Sequence, residues 1–207
     1  MIVLDCEQYS DEWWDARLGI PTASMMSSIV TSEGKKSSSW KTALNKLAAE
    51  KLRGKPDETF QSDWMKRGHE LEDEAAGYYS FLTGRDLQKV GICFRDQKDA
   101  GFSPDALASD RGLEIKCVSP GVHVGYLRED KVPTTYKPQV YSSLYLSDFE
   151  LWDFMSYHPD MKPLIVSTTK ADDQYLKYAA ALDKYLPLFV RELNGVVNEL
   201  TKYMEAA

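Results

Sequence analysis

The sequence is poor in the residues that build disulfide scaffolds and soft metal sites. Its three cysteines, Cys6, Cys93 and Cys117, lie far apart and include no CxxC pair, which excludes a zinc ribbon, an iron–sulfur centre and a disulfide framework. They read as ordinary buried thiols. Histidine is as scarce: His69, His123 and His158 fall in separate segments without helical or hairpin spacing, so they form no ligand set. Each reads as structural or solvated, His69 included, although it sits inside the GHELE turn. No apolar run is long enough to span a bilayer, and the start, MIVLDCEQYSDEWW, lacks the basic flank and apolar stretch of a signal peptide. A soluble, cytoplasmic protein without membrane contact is expected. Internal repeats are missing, and one short serine-rich loop is the nearest approach to low complexity.

What is present is a chain of 207 residues, 43% hydrophobic and 12% aromatic, enough to bury one substantial core in a single domain over 1–207. The net charge of −7 argues against a basic footprint for nucleic acid spread over the whole surface. Local charge differs. Lys35, Lys36 and Lys41 cluster around SEGKKSSSWK, and Arg53, Lys55, Lys66 and Arg67 follow, so a one-sided basic surface stands beside the plainer reading of a solvated face.

Periodicity divides the chain into helices, then a sheet, then more helices. Residues 11–18 read as a short helix stopped by Gly19, and a second helix is expected from Thr22, after Pro21. Trp40–Arg53 and Asp63–Thr83 repeat apolar residues at helical spacing and end at glycine. Leu87–Arg95, Gly101–Ser103 and Leu113–Val118 read as strands. A helix near Thr134–Leu146 and strands at Glu150–Tyr157 and Leu164–Thr168 follow. The last element, Asp172–Met204, is a long amphipathic helix in which Pro187 is expected to kink or divide the rod. The fold class is α/β, a mixed sheet flanked by helices. Trp13, Trp14, Trp64, Tyr78 and Tyr79 read mainly as core; any one of them could instead wedge apart a duplex end.

The chemistry concentrates in FSPDALASDRGLEIKC, residues 102–117. Strand alternation puts Leu113, Ile115 and Cys117 on one face and Glu114 and Lys116 on the other. Asp105 follows Ser103-Pro104, and a hairpin would bring it beside Glu114. Two neighbouring carboxylates repel unless a proton or a divalent cation lies between them, and hard oxygen donors suit magnesium, with manganese as the alternative ion. Such an ion polarises a phosphoryl oxygen, and a lysine beside it can orient or deprotonate water. Taken alone, D…ExK is equally the mark of an exposed strand face carrying a salt bridge.

SPDAL followed by LEIKC resembles the core of the PD-(D/E)XK nucleases. Three further segments resemble the lambda-exonuclease branch, the YqaJ-type viral recombinase or alkaline exonuclease family: WWDARLGIPTAS its WxxxRLGxxTAS motif, MKRGHELEDEAA its GxxxExxA helix, and TTYKPQVYSSLYLS its YxxQxQ-like helix. Four motifs in the right order over residues 10–157 are far more specific than one. The resemblance implies that Asp105, Glu114, the Ile115 carbonyl and Glu72 hold magnesium, with Lys116 at the attacking water. It further implies that Arg17, Ser24 and Ser103 form a pocket for a terminal 5′-phosphate. Arginine binds phosphate with a two-pronged fork, and a helix beginning at Thr22 would offer free N–H groups; otherwise Arg17 is a surface ion-pair partner and Ser24 a first-turn residue. Tyr136 and Gln139 would line the catalytic site. Where the family's helix often carries a second glutamine this chain has Tyr141, which leaves Gln139 without its usual partner.

The implied activity is a magnesium-dependent 5′-to-3′ exonuclease on double-stranded DNA ends that leaves 3′ single-stranded tails. The implied setting is phage-type recombination in a bacterial host cell, with a homotrimer ring and a single-strand annealing protein as partner. Two rivals remain: a PD-(D/E)XK endonuclease, and an inert DNA-end-binding protein with a degenerate site.

Overall fold

The computed structural model describes residues 1–56 and 63–206. Two sheets form its frame. A three-stranded antiparallel sheet has the order β1 (Ile2–Leu4), β2 (Ile92–Phe94), β3 (Gly101–Phe102). A four-stranded sheet has the order β4 (Ala106–Leu107), β5 (Arg111–Cys117), β6 (Leu151–Tyr157), β7 (Leu164–Thr169). In it β5 and β6 run parallel and the outer pairs antiparallel. A parallel pair cannot be closed by a tight turn, and the crossover here consists of α4 (Pro120–Glu129) and α5 (Lys137–Leu146).

The remaining helices begin and stop where local chemistry dictates. In α1 (Asp11–Ala16) the Ser10 hydroxyl accepts from the Trp13 amide, with Asp11 and Glu12 in the first turn. Helix α2 (Trp40–Arg53) ends at Gly54 with φ of 64°, and α3 (Asp63–Thr83) at Gly84 with φ of 67°. Helix α6 covers Asp173–Glu205. Pro187 does not divide it. Tyr178, Leu182, Leu186, Phe189 and Leu193 form a buried stripe on both sides of the proline, so packing against α2 and α5 offsets the one lost hydrogen bond.

Three elements depart from the expected outline. The segment expected as one strand over 87–95 serves two sheets: Gln88 bridges to Leu107, whereas only Ile92–Phe94 pairs with β1 and β3. Between them Gly91 passes so close to Cys6 that a Cβ would lie 2.3 Å from its Sγ. The helix expected from Thr22 is a six-residue 3-10 helix, Ala23–Ser28; three serines in six positions favour local side-chain bonding over a regular helix. Helix α4 was not foreseen because two glycines and two valines hide it, although Ser119-Pro120 is a sound start signal.

The main core lies between α2, α5, α6 and the sheets, around Met26, Leu44, Leu144, Trp152, Phe154 and Phe189. A second cluster joins Ala75 and Tyr79 of α3 to Leu113, Ile115 and Tyr157. The Tyr79 hydroxyl donates to Asp153 at 2.5 Å, and that 2%-exposed carboxylate also takes Arg111 and Ser167. Helix α3 is thereby tied to the sheet through one fully satisfied charge. Tyr78, one position away, is 38% exposed, because consecutive helical residues point about 100° apart. Trp13 is buried and Trp14 half-buried, and the Trp64 side chain lies outside the described side chains. Of the thiols only Cys93 is buried; Cys6 and Cys117 are half-buried, and all three are free.

Gly112 sits under the Trp152 indole, where a Cβ would come within 2.3 Å of Cζ3. Trp152 is fully buried, so its ring cannot retreat. Gly112→Ala is expected to destabilise the protein by at least about 1–3 kcal/mol, read as a lower urea midpoint.

Candidate active site

Antiparallel pairing of β4 with β5 sets Ala106 opposite Leu113, which places Asp105 across from Glu114. The Asp105 amide donates to the Leu113 carbonyl at 3.2 Å, and Asp105 Oδ2 accepts from the Ile115 amide at 2.5 Å. The Asp105 side chain is thus fixed to the strand that carries the second acid. Behind it, Gln8 Nε2 donates to the carbonyls of Val90 at 3.0 Å and Pro104 at 2.8 Å, pinning the turn from the amino-terminal side.

Alternation along β5 works as the sequence implies. Leu113 and Ile115 pack against α3, and Glu114 and Lys116 face the opposite way, into a cleft of about 630 Å³. Glu114 is 1% exposed, and its Oε1 lies 2.5 Å from both Lys116 Nζ and Gln139 Nε2. Its Oε2 is buried without a hydrogen-bond partner. Burial pushes the Glu114 carboxyl upward, Lys116 opposes this, and Asp105 and Glu72 add to it. Burial alone would lower Lys116, but Glu114 and Asp105 outweigh it and hold the ammonium form.

Glu72 lines the same cleft. It continues the α3 stripe of Ala75, Ala76 and Tyr79 that packs on β5, so helical spacing carries it to the edge of the carboxylate pair. Gly68 and His69, its neighbours in the motif, lie outside the described side chains. From the other side comes Gln139 of α5, whereas Tyr136, at the start of that helix, is not among the cleft-lining residues and packs beside Lys116. The Tyr136 ring stacks on Phe154 with centroids 5.5 Å apart, and Lys116 Nζ lies 5.6 Å from its centre. Tyr141 faces away from the cleft. Two residues along a helix is about 200° of rotation, and its ring packs on Tyr175 and Tyr178 of α6.

Among the described residues, no three His, Cys, Asp or Glu side chains are gathered closely enough to cage a metal by themselves. The donor set nevertheless fits a hard divalent cation. A buried carboxylate oxygen without a partner, beside two further acids, is the arrangement that such a cation relieves.

The cleft continues toward Arg17, Thr22, Ser24 and Ser103. The Arg17 guanidinium lies over the rings of Trp13 and Trp14, 4.1 and 5.4 Å from their centres, and reaches Thr22 Oγ1 at 3.5 Å. Thr22 Oγ1 in turn lies 3.2 Å from Ser24 Oγ. Trp13 Nε1 donates to Ser103 Oγ at 2.8 Å, linking this corner to the turn that carries Asp105. Burial holds Arg17 below the usual guanidinium value, against the pull of Glu50 and Tyr9. A partly desolvated, ring-stacked guanidinium beside two hydroxyls has the donors that an anion would need. The 3-10 helix is too short to contribute an N-terminal dipole site. Sequence reasoning missed Gln8, Tyr9, Thr42, Lys46 and Glu50, which also line the cleft. Of the histidines, His123 and His158 stay outside it and are buried, with His123 held by Ser156 and the Lys162 carbonyl.

Residues 12–150 match the family described as the YqaJ-like viral recombinase domain. The chain belongs to that family. Among solved structures, the YqaJ-like chain is similar to the alkaline exonuclease LHK-Exo of Laribacter hongkongensis, with 26% identity and a TM-score of 0.82 over 96% of this chain and 100% of that one. LHK-Exo in complex with dAMP matches at 24% identity and a TM-score of 0.78, over 94% and 100% of the two chains. A phage-related exonuclease from Haemophilus somnus 129PT matches at 15% and 0.60, over 87% and 96%. Among curated proteins no sequence matches. The YqaJ-like chain therefore has the alkaline exonuclease fold, of the PD-(D/E)XK type.

Proposed function

We propose that the protein is a magnesium-dependent 5′-to-3′ exonuclease acting on the ends of double-stranded DNA. The observation that carries this reading is the continuity of one cleft from Arg17, Ser24 and Ser103 to Asp105, Glu114 and Lys116. Capture of a terminal phosphate at one end would bring the adjacent phosphodiester to the carboxylates at the other, and polarity would follow from which end is held.

Asp105, Glu114, the Ile115 carbonyl and Glu72 would hold the ion, with manganese able to replace magnesium. The ion would supply charge stabilisation at the phosphoryl oxygens and a more acidic water. Lys116 Nζ, kept protonated beside Glu114 Oε1, would orient the attacking water by donation. Gln139 Nε2 holds Glu114 by its Oε1 and leaves Oε2 without a hydrogen bond, and the Tyr136 ring packs beside the lysine. Arg17 would grip the phosphate with its fork while Trp13 and Trp14 fix the plane of that fork.

The acidic total charge is compatible with DNA binding if basic residues line only a channel, as in a homotrimer ring around the trailing duplex. A single-strand annealing protein would then receive the 3′ tail, in phage-type recombination within a bacterial cytoplasm. Among the described residues no helix is long and apolar enough to cross a membrane.

The test is digestion of linear duplex and of covalently closed circles with magnesium. The linear form should vanish to mononucleotides while circles persist. Cleavage of circles at a comparable rate would establish the endonuclease reading instead, and binding of ends without hydrolysis the inert one.

A further inference from the structure

Tyr9 carries two features that the exonuclease reading leaves unused. Its φ is +70°, in the left-handed region that glycine occupies freely and a bulky residue enters only under strain. Its side chain nevertheless lines the cleft, and the residue is 45% exposed. The conformation is over-determined by what flanks it. Gln8 is tied to Val90 and Pro104, and the Ser10 hydroxyl donates to the Glu7 carbonyl at 2.6 Å while capping α1. Strain preserved in this way marks positions where the side chain's placement matters.

The neighbouring cleft aromatics are less accessible. Trp13 is 3% exposed, and Arg17 covers both it and Trp14. Tyr9 packs its ring against Trp13 at 5.0 Å and a 49° tilt. Among the described aromatic side chains of the cleft it is the most exposed. Its hydroxyl is pushed up to about 12, first by burial and then by Glu72 and Asp105, with Lys116 and Arg17 opposing. The ring lines the same cleft as Glu72, Asp105 and Lys116 at one end and Arg17 at the other.

We propose that Tyr9 is the platform on which the base of the 5′-terminal nucleotide stacks while its phosphate lies at Arg17. The inference rests on the exonuclease reading and names where that reading places the base. Stacking tolerates any sequence because every base has a π-face, which suits an enzyme that must remove all four nucleotides in turn. Glycine at this position relieves the backbone strain but gives up the ring's packing on Trp13 and Trp14, and it should weaken the function.

The experiment uses duplexes with 2-aminopurine as the 5′-terminal base, bound in EDTA, where no cleavage proceeds. Wild type and Tyr9→Phe should quench the fluorescence. Tyr9→Gly should lose the quenching and lose about tenfold in kcat/KM with magnesium. Tyr9→Leu, which keeps a branched side chain without a π-face, should lose the quenching as well, so Trp14 is not its source. A Tyr9→Gly protein that quenches and digests like wild type overturns the proposal. Failure of wild type to release nucleotides would instead remove the exonuclease reading itself.

Discussion

Lys116→Ala is expected to reduce hydrolysis of linear duplex by about 100- to 1,000-fold, the range for a lost preorganised hydrogen-bond donor, while binding to duplex ends survives. The variant removes the one cation in contact with Glu114 Oε1 among the described residues. Gln139 remains as a donor to the same oxygen, so the carboxylate keeps its rotamer. Its affinity for a proton rises further, because Lys116 is the chief influence lowering it in the native site. An acid whose folded pKa is raised favours the fold at low pH and loses that contribution as pH climbs through the raised value. Lys116→Ala should therefore lose stability with rising pH more steeply than wild type. Urea midpoints across pH, measured beside the kinetics, separate a folding defect from lost chemistry. Full activity in a folded Lys116→Ala protein would remove the lysine from the mechanism.

Arg17→Ala is expected to lower kcat/KM on 5′-phosphorylated ends by about 10- to 100-fold, the value of one or two charge-assisted hydrogen bonds. Its effect on 5′-hydroxyl ends should be small, so the two substrates become alike. Arg17→Lys should recover only part of the preference, since an ammonium lacks the planar fork and the stacking on Trp13 and Trp14. Equal losses on both kinds of end would mean that Arg17 supports the Trp13–Trp14 corner rather than reading the phosphate.

The parts of this arrangement visible in the sequence are those governed by short periods. Alternation in LEIKC separates Glu114 and Lys116 from Leu113 and Ile115 whatever surrounds the strand, and the SPDA turn has one practical way to meet Glu114. Helix ends at Gly54 and Gly84 follow from local backbone preferences. What stayed hidden depends on distant contacts. Gln8 and Tyr9 precede a helix cap and look like loop, and only the packing of that loop on Val90 and Pro104 gives them a place in the cleft. Lys46 and Thr42 read as α2 surface, because nothing in the helix says which exposed side borders the cleft. Tyr141 looked like a substituted site residue until α6 supplied its partners. Pro187 looked like a break until the buried stripe across it was seen. The family resemblance selected Glu72 from the four acids of HELEDE, which helical period alone could not do.

The most direct measurement is a time course on linear duplex labelled at the 5′-phosphate of one strand and, separately, at the 3′ end, with magnesium or with EDTA. The account predicts immediate release of the 5′ label as mononucleotide, retention of the 3′ label on long single strands, and no release of either in EDTA. Early release of the 3′ label, internal fragments carrying the 5′ label, or undiminished release in EDTA would contradict it.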